Sequence, residues 1–172
     1  MDISGIASVI GALGIGSFVG QYLIGSQQRR QLRSEVLKHL AHTETARWAP
    51  EEPGNPKFRE SMRELETAAM ISRIPRKVVD QYKVFAYVAW WLSQESWDDH
   101  PFSETGGGLI ESDFADIVRD VAAELSRSAW SPWAVKVNQN SRLKKNDLGV
   151  EAIDNTRVRQ NMKRAQETVR SL

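Results

Sequence analysis

Cysteine is absent from the sequence, which excludes disulfides, thiolate metal centres and a cysteine nucleophile, and agrees with a reducing compartment. A surplus of one charge is also lacking: 23 Lys and Arg stand against 22 Asp and Glu, a net +1, so wholesale coating of a nucleic acid is not expected. Neither a Walker lysine nor a dinucleotide fingerprint is present, and Gly106-Gly107-Gly108 therefore reads as a hinge rather than a phosphate cradle. Long apolar runs are scarce, and the stretch that departs from this is the amino-terminal one.

Ile3 to Ile24 is a run of 22 residues without a charge, ten of them strongly apolar. As a helix it spans about 33 Å at roughly 1.5 Å per residue, close to the thickness of a hydrocarbon core. Its five glycines and Gln21 make insertion favourable but weak. A cleaved secretory signal would carry its positive charge ahead of the apolar core, whereas here Asp2 leads. An interfacial helix would show a charged face, and there is none. The spanning reading is preferred to a buried core helix. Arg29, Arg30 and Arg33 follow the run, so the positive-inside rule puts the C-terminal side in the cytoplasm and the amino terminus outside the cell inner membrane.

Ser8, Ala12, Gly16 and Gly20 recur every four residues and form a stripe of small side chains. Such a stripe lets two helix backbones approach closely in lipid, so the anchor is expected to pair with itself in a homo-oligomer.

Behind the run the pattern is helical throughout. The expected fold class is all-α: a transmembrane helix (1–25) continuing into a juxtamembrane stalk helix (26–48), then a small antiparallel helical bundle (49–172). On the stalk, Leu32, Val36, Leu37, Leu40, Ala41 and Trp48 make a broad apolar face. Pro50, Pro53 and Gly54 break the chain, and Asn55 with Pro56 reads as an N-cap followed by a first-turn proline. Phe58, Met62, Leu65 and Ala69 follow at heptad-like spacing.

Pro75 kinks or restarts the chain into Val78–Leu92, the most apolar soluble stretch, which Lys83 interrupts. It is too short to span a bilayer and reads as the central core helix. A loop is expected from Asp98 to Ile110. Asp113 then caps a helix with Phe114, Ile117, Val118, Val121 and Leu125 inward. Val135–Gly149 is polar with weak periodicity. A last helix, about Asn155 to Ser171, carries Val158, Met162, Ala165, Val169 and Leu172 and is expected to pack on the stalk or on a partner.

Chemistry is harder to place. Glu35, His39 and His42 share a helix face, but no fourth ligand is evident and the motif is not HExxH, so no metal or other cofactor is expected. Asp98-Asp99-His100 offers carboxylates and an imidazole, yet no nucleophile is nearby and a structural turn is the simpler reading. The chain is therefore not expected to be an enzyme, and no small-molecule substrate is predicted.

Trp48, Trp91 and Trp133 are candidate anchors for a cytoplasmic protein partner. The C-terminal third is basic, with Arg142, Arg157, Arg159 and Arg164 among its cations, and a lipid surface is its nearest anionic partner. The functional expectation is a single-pass membrane protein of bacterial or phage type that acts by binding or scaffolding. The alternative is a membrane-active effector whose Gly-rich amino terminus forms pores.

Overall fold

The computed structural model describes residues 27–49, 56–99, 112–130 and 138–170. Six helices lie among them and no strand does: α1 (27–48), α2 (Lys57–Ile71), α3 (Arg76–Asp99), α4 (Ser112–Trp130), α5 (Gln139–Glu151) and α6 (Thr156–Arg170). The all-α helical bundle expected from the periodicities is what forms. The expected anchor, residues 3–24, lies outside the described residues together with Ser8, Ala12, Gly16 and Gly20. Among the described residues, no helix is long and apolar enough to cross a membrane.

The bundle is organised around α3. Residues 82 to 90 are all buried, so this stretch of the helix is covered on every side, and all of its side chains but Lys83 are apolar or aromatic. Helices α4 and α6 pack along it, α2 lies against it, and α5 closes over α4. Phe85 stacks on Phe114 of α4 at 6.2 Å between ring centroids, and Phe58 of α2 stacks on Trp90 at 5.1 Å. Burying such side chains contributes about 1.5–3 kcal/mol each relative to exposure.

Helix α1 shares this core. Val36, Leu40, Thr43 and Arg47 are buried at helical spacing, whereas Ala41 on the expected apolar face is exposed. The Tyr82 hydroxyl donates to Glu44 Oε1 at 2.7 Å, and Glu44 also pairs with Arg47. The hydroxyl of Ser72 donates to the Leu32 carbonyl at 3.1 Å. The stretch read as a stalk is therefore one of the bundle's own helices from Val36 onward.

Helix boundaries depart from the sequence expectation in four places. Pro56 is the N-cap of α2 rather than its first helical residue, because its carbonyl already accepts the Glu60 N–H at 3.0 Å; Asn55 lies outside the described residues. Asp98 and Asp99, expected in a loop, form the last turn of α3. Two carboxylates oppose the helix dipole there, and Arg157 of α6 offsets this by approaching Asp99 at 3.6 Å. Asp113 sits inside the first turn of α4 rather than ahead of it. The polar stretch before Gly149 is helical as α5, its buried Leu143, Asn146 and Val150 facing the bundle. Gly149 lies where α5 crosses α4: a Cβ there would meet Ile117 Cδ1 at 3.2 Å.

The turn between α2 and α3 is a Schellman motif. Arg73 N–H bonds the Met70 carbonyl and Ile74 N–H bonds the Ala69 carbonyl, both at 3.0 Å. Arg73 adopts φ 56°, a conformation usually taken by glycine. Pro75 then starts α3, its carbonyl accepting Val78 N–H at 3.0 Å. Asn155 begins α6, its Oδ1 accepting the N–H of Arg157 at 2.9 Å and of Val158 at 3.3 Å. The α6 stripe of Val158, Ala165 and Val169 is buried and packs on α3 of the same chain. Leu172 lies outside the described residues.

A cationic cleft between two helices

Two concave sites differ in how their charges are used. The larger, about 640 Å³, lies between α3, α5 and α6. Some of its polar groups are bonded within the protein. Gln81 donates to the Leu143 carbonyl and to Asp147 Oδ1, both at 2.8 Å, and accepts from Asn146 at 3.3 Å. Arg76 faces Asp80 at 3.5 Å. Lys77, Lys144 and Arg170 also line this groove, which has no aromatic surface beyond Phe85.

The smaller site, about 320 Å³, is walled by α2 and α6 over a floor from α3. Arg59, Arg63 and Glu66 project from α2, Lys83, Tyr87, Trp90 and Trp91 from α3, and Arg164 from α6. The i, i+4 spacing of Arg59 and Arg63 puts both guanidinium groups on one helix face. The burial of Val158, Ala165 and Val169 against α3 fixes the rotation of α6. Arg164 thereby comes to the cleft, its guanidinium carbon 4.3 Å from the Trp91 ring centroid. Arg59 lies over Trp90 at 5.3 Å. Arginine planes on indole faces are attractive cation–π contacts.

Four cations thus line the site against one carboxylate. That carboxylate is already matched, because Lys83 Nζ, on a side chain only 2% exposed, donates to Glu66 Oε2 at 2.8 Å. Among the described residues no acidic side chain forms an ion pair with Arg59, Arg63 or Arg164. Tyr87 registers the same convergence of charge. Burial raises its phenol above the ordinary value, while Arg59 and Arg63 lower it and Glu66 raises it. The phenol stays protonated at neutral pH and is a hydrogen-bond donor. Trp90, nearly buried in the same lining, has an Nε1–H with no acceptor among the described residues.

The residues singled out from sequence are dispersed. Arg29 and Arg30 are exposed on the first turns of α1, and Arg33 Nη1 donates to the Trp130 carbonyl at 3.3 Å. Trp48 is 40% exposed at the end of α1, with Arg47 over its ring at 4.4 Å and its carbonyl accepting from Trp97 at 3.4 Å. Trp91 is half-buried in the cleft. Trp133 and His100 lie outside the described residues.

Glu35 and His39 do meet, at 3.6 Å, and His39 Nδ1 lies 3.2 Å from Glu64 of α2. Among the described residues no group of three such side chains has metal-holding geometry. Three of the basic C-terminal residues are paired: Arg142 with the buried Glu124 at 2.8 Å, Arg157 with Asp99, and Arg159 with Asp154 at 3.2 Å.

Arg59, Arg63 and Lys83 were not singled out as functional by sequence reasoning, although two signals were present. Arg59 and Arg63 flank the apolar stripe of α2 one turn apart, and Lys83 interrupts the most apolar helix in the chain. No protein-family model, no curated protein and no solved structure matches the chain.

Proposed function

We propose that this chain is a single-pass membrane-anchored helical protein that acts by binding, with the bundle presenting the α2–α6 cleft to an anionic partner. The cleft carries the binding half of the reading. Three arginines line it without an ion-pairing carboxylate among the described residues, and such a surplus is stabilised when an anion enters. The anchoring half rests on the uncharged run Ile3–Ile24 followed by Arg29, Arg30 and Arg33. Among the described residues the bundle core runs from Val36 of α1 to Val169 of α6.

In this reading Ser8, Ala12, Gly16 and Gly20 pair the anchors of two copies. Trp48 remains a partner-facing aromatic at the end of α1. The cell inner membrane is the proposed address, with the bundle in the cytoplasm.

Carbonate extraction of membranes from cells expressing the full chain tests the anchor: the protein is expected in the pellet, and recovery in the soluble fraction defeats the reading. Dye-loaded liposomes separate it from a pore-forming effector. An anchor leaves them sealed, whereas leakage that grows with protein-to-lipid ratio favours the effector.

A further inference from the structure

We infer that the α2–α6 cleft is a binding site for a phosphomonoester, its phosphate held by Arg59, Arg63 and Arg164 and its organic group lying against Trp91. The inference rests on the reading that the bundle acts by binding, and it names the ligand's chemistry.

The first argument is charge. The cleft's own carboxylate is held by a buried ammonium, so Glu66 does not compete for the arginines: Lys83 takes it at 2.8 Å. A surplus of three guanidinium charges remains. A carboxylate ligand brings one negative charge and two oxygens, which a single bidentate arginine satisfies. A phosphomonoester brings about −1.5 to −2 charge at neutral pH and three strong acceptor oxygens. Three arginines lining one cleft from two helices match that number of acceptors.

Size is the second argument. A cavity of about 320 Å³ lies at the small end of small-molecule sites, which run from roughly 300 to 1,000 Å³. It accommodates one phosphate on one modest organic group. Aromatic character is the third. Trp91 is half-buried with Arg164 over its ring, and Tyr87 lies 5.7 Å away, centroid to centroid. A flat or apolar substituent can cover the part of Trp91 that stays exposed beside Arg164, and the Tyr87 hydroxyl is a neutral donor.

Pre-orientation is the fourth. Arg59 and Arg164 already rest on indole faces, which reduces the rotamer freedom lost when an anion is bound. The phosphomonoester can come from a soluble metabolite or from the headgroup of phosphatidic acid. Both present the same terminal phosphate.

The test uses the full chain in a zwitterionic detergent, titrated calorimetrically with phenyl phosphate and with benzoate. Phenyl phosphate is expected to bind saturably. Arg63→Ala and Arg164→Ala are each expected to weaken it about tenfold or more, the effect of losing charge-assisted hydrogen bonds. Arg119→Ala, an exposed arginine of α4 outside the cleft, is expected to leave binding unchanged. All three sites are exposed, and circular dichroism checks that each variant stays folded.

Vesicles doped with phosphatidic acid form the second arm. Recruitment that phenyl phosphate reverses identifies the lipid source, and binding of phenyl phosphate without recruitment identifies a soluble one; both support the site. Equal affinity for benzoate and phenyl phosphate overturns the phosphate assignment while leaving an anion-binding bundle intact. No heat with either compound overturns the cleft itself, and neither result bears on the anchor, which carbonate extraction decides separately.

Discussion

Lys83 and Glu66 form an ion pair of 2.8 Å in which the lysine side chain is almost wholly removed from water and the glutamate side chain is 28% exposed. The pair joins α3 to α2 beneath the cationic cleft. Its two ends differ in what they lose when broken. An ammonium stranded in the core has no solvent to turn to, whereas the carboxylate retains some.

Glu66→Gln is accordingly expected to destabilise the bundle by about 3 kcal/mol, the usual cost of leaving a buried charge without its partner. Lys83→Met costs less, since methionine fills much of the same space and Glu66 stays partly hydrated. The double variant recovers most of the loss. Urea unfolding of the four proteins provides the comparison, and a Glu66→Gln midpoint equal to that of the parent would sink this account of the pair.

Arg73 closes α2 in the left-handed conformation at φ 56°. A side chain there costs about 1–2 kcal/mol, and glycine avoids this at the expense of a more flexible unfolded chain. Arg73→Gly is expected to stabilise the protein by about 1 kcal/mol, seen as a higher denaturation midpoint with an unchanged slope. Arg73→Ala keeps the strained backbone and gains nothing. Equal midpoints for the two variants would remove the conformational explanation.

Tyr82 gives the bundle an alkaline limit. Burial raises its phenol well above the ordinary value, the charge of Glu44 and the hydrogen bond to it add to the rise, and Arg47 opposes it. The folded state therefore keeps the proton at a pH where the unfolded chain has released it. This contribution is complete below about pH 10, the unfolded value, and falls as the pH climbs toward the folded one.

Tyr82→Phe is expected to lose about 1–3 kcal/mol at neutral pH with the hydrogen bond to Glu44, and to flatten the decline above about pH 10. Tyr87, raised in the same direction, leaves a residual slope. Denaturation midpoints across the alkaline range decide it: parallel curves for parent and variant would assign the limit to another group.

Much of the helix plan was legible because periodicity is a local property. Phe58, Met62, Leu65 and Ala69 on α2, and Phe114, Val118, Val121 and Leu125 on α4, are buried as their spacing requires. Asn155 could be read only as an approximate helix start, and the structure makes it the side-chain cap of α6. Helix α5 was not legible. Its polar composition and Gly149 argue locally against a helix, and it forms because Leu143, Asn146 and Val150 find a surface and Gly149 permits the close passage of Ile117. Asp98 and Asp99 looked like loop residues for the same reason: the cation that steadies them, Arg157, is distant in sequence.

By itself, then, the sequence determined an all-helical chain, the positions of its apolar stripes, the absence of thiol chemistry and the uncharged run at its amino terminus. Only the tertiary structure decided which arginines keep an ion-pair partner and which converge without one. Arg142 and Arg164 are indistinguishable in composition, yet the first meets the buried Glu124 of α4 and the second meets a ring of α3 and the edge of a cleft. Hydrophobic spacing acts over a few residues along the chain. A charge is assigned its partner by helix rotation and packing, which are set by contacts tens of residues away.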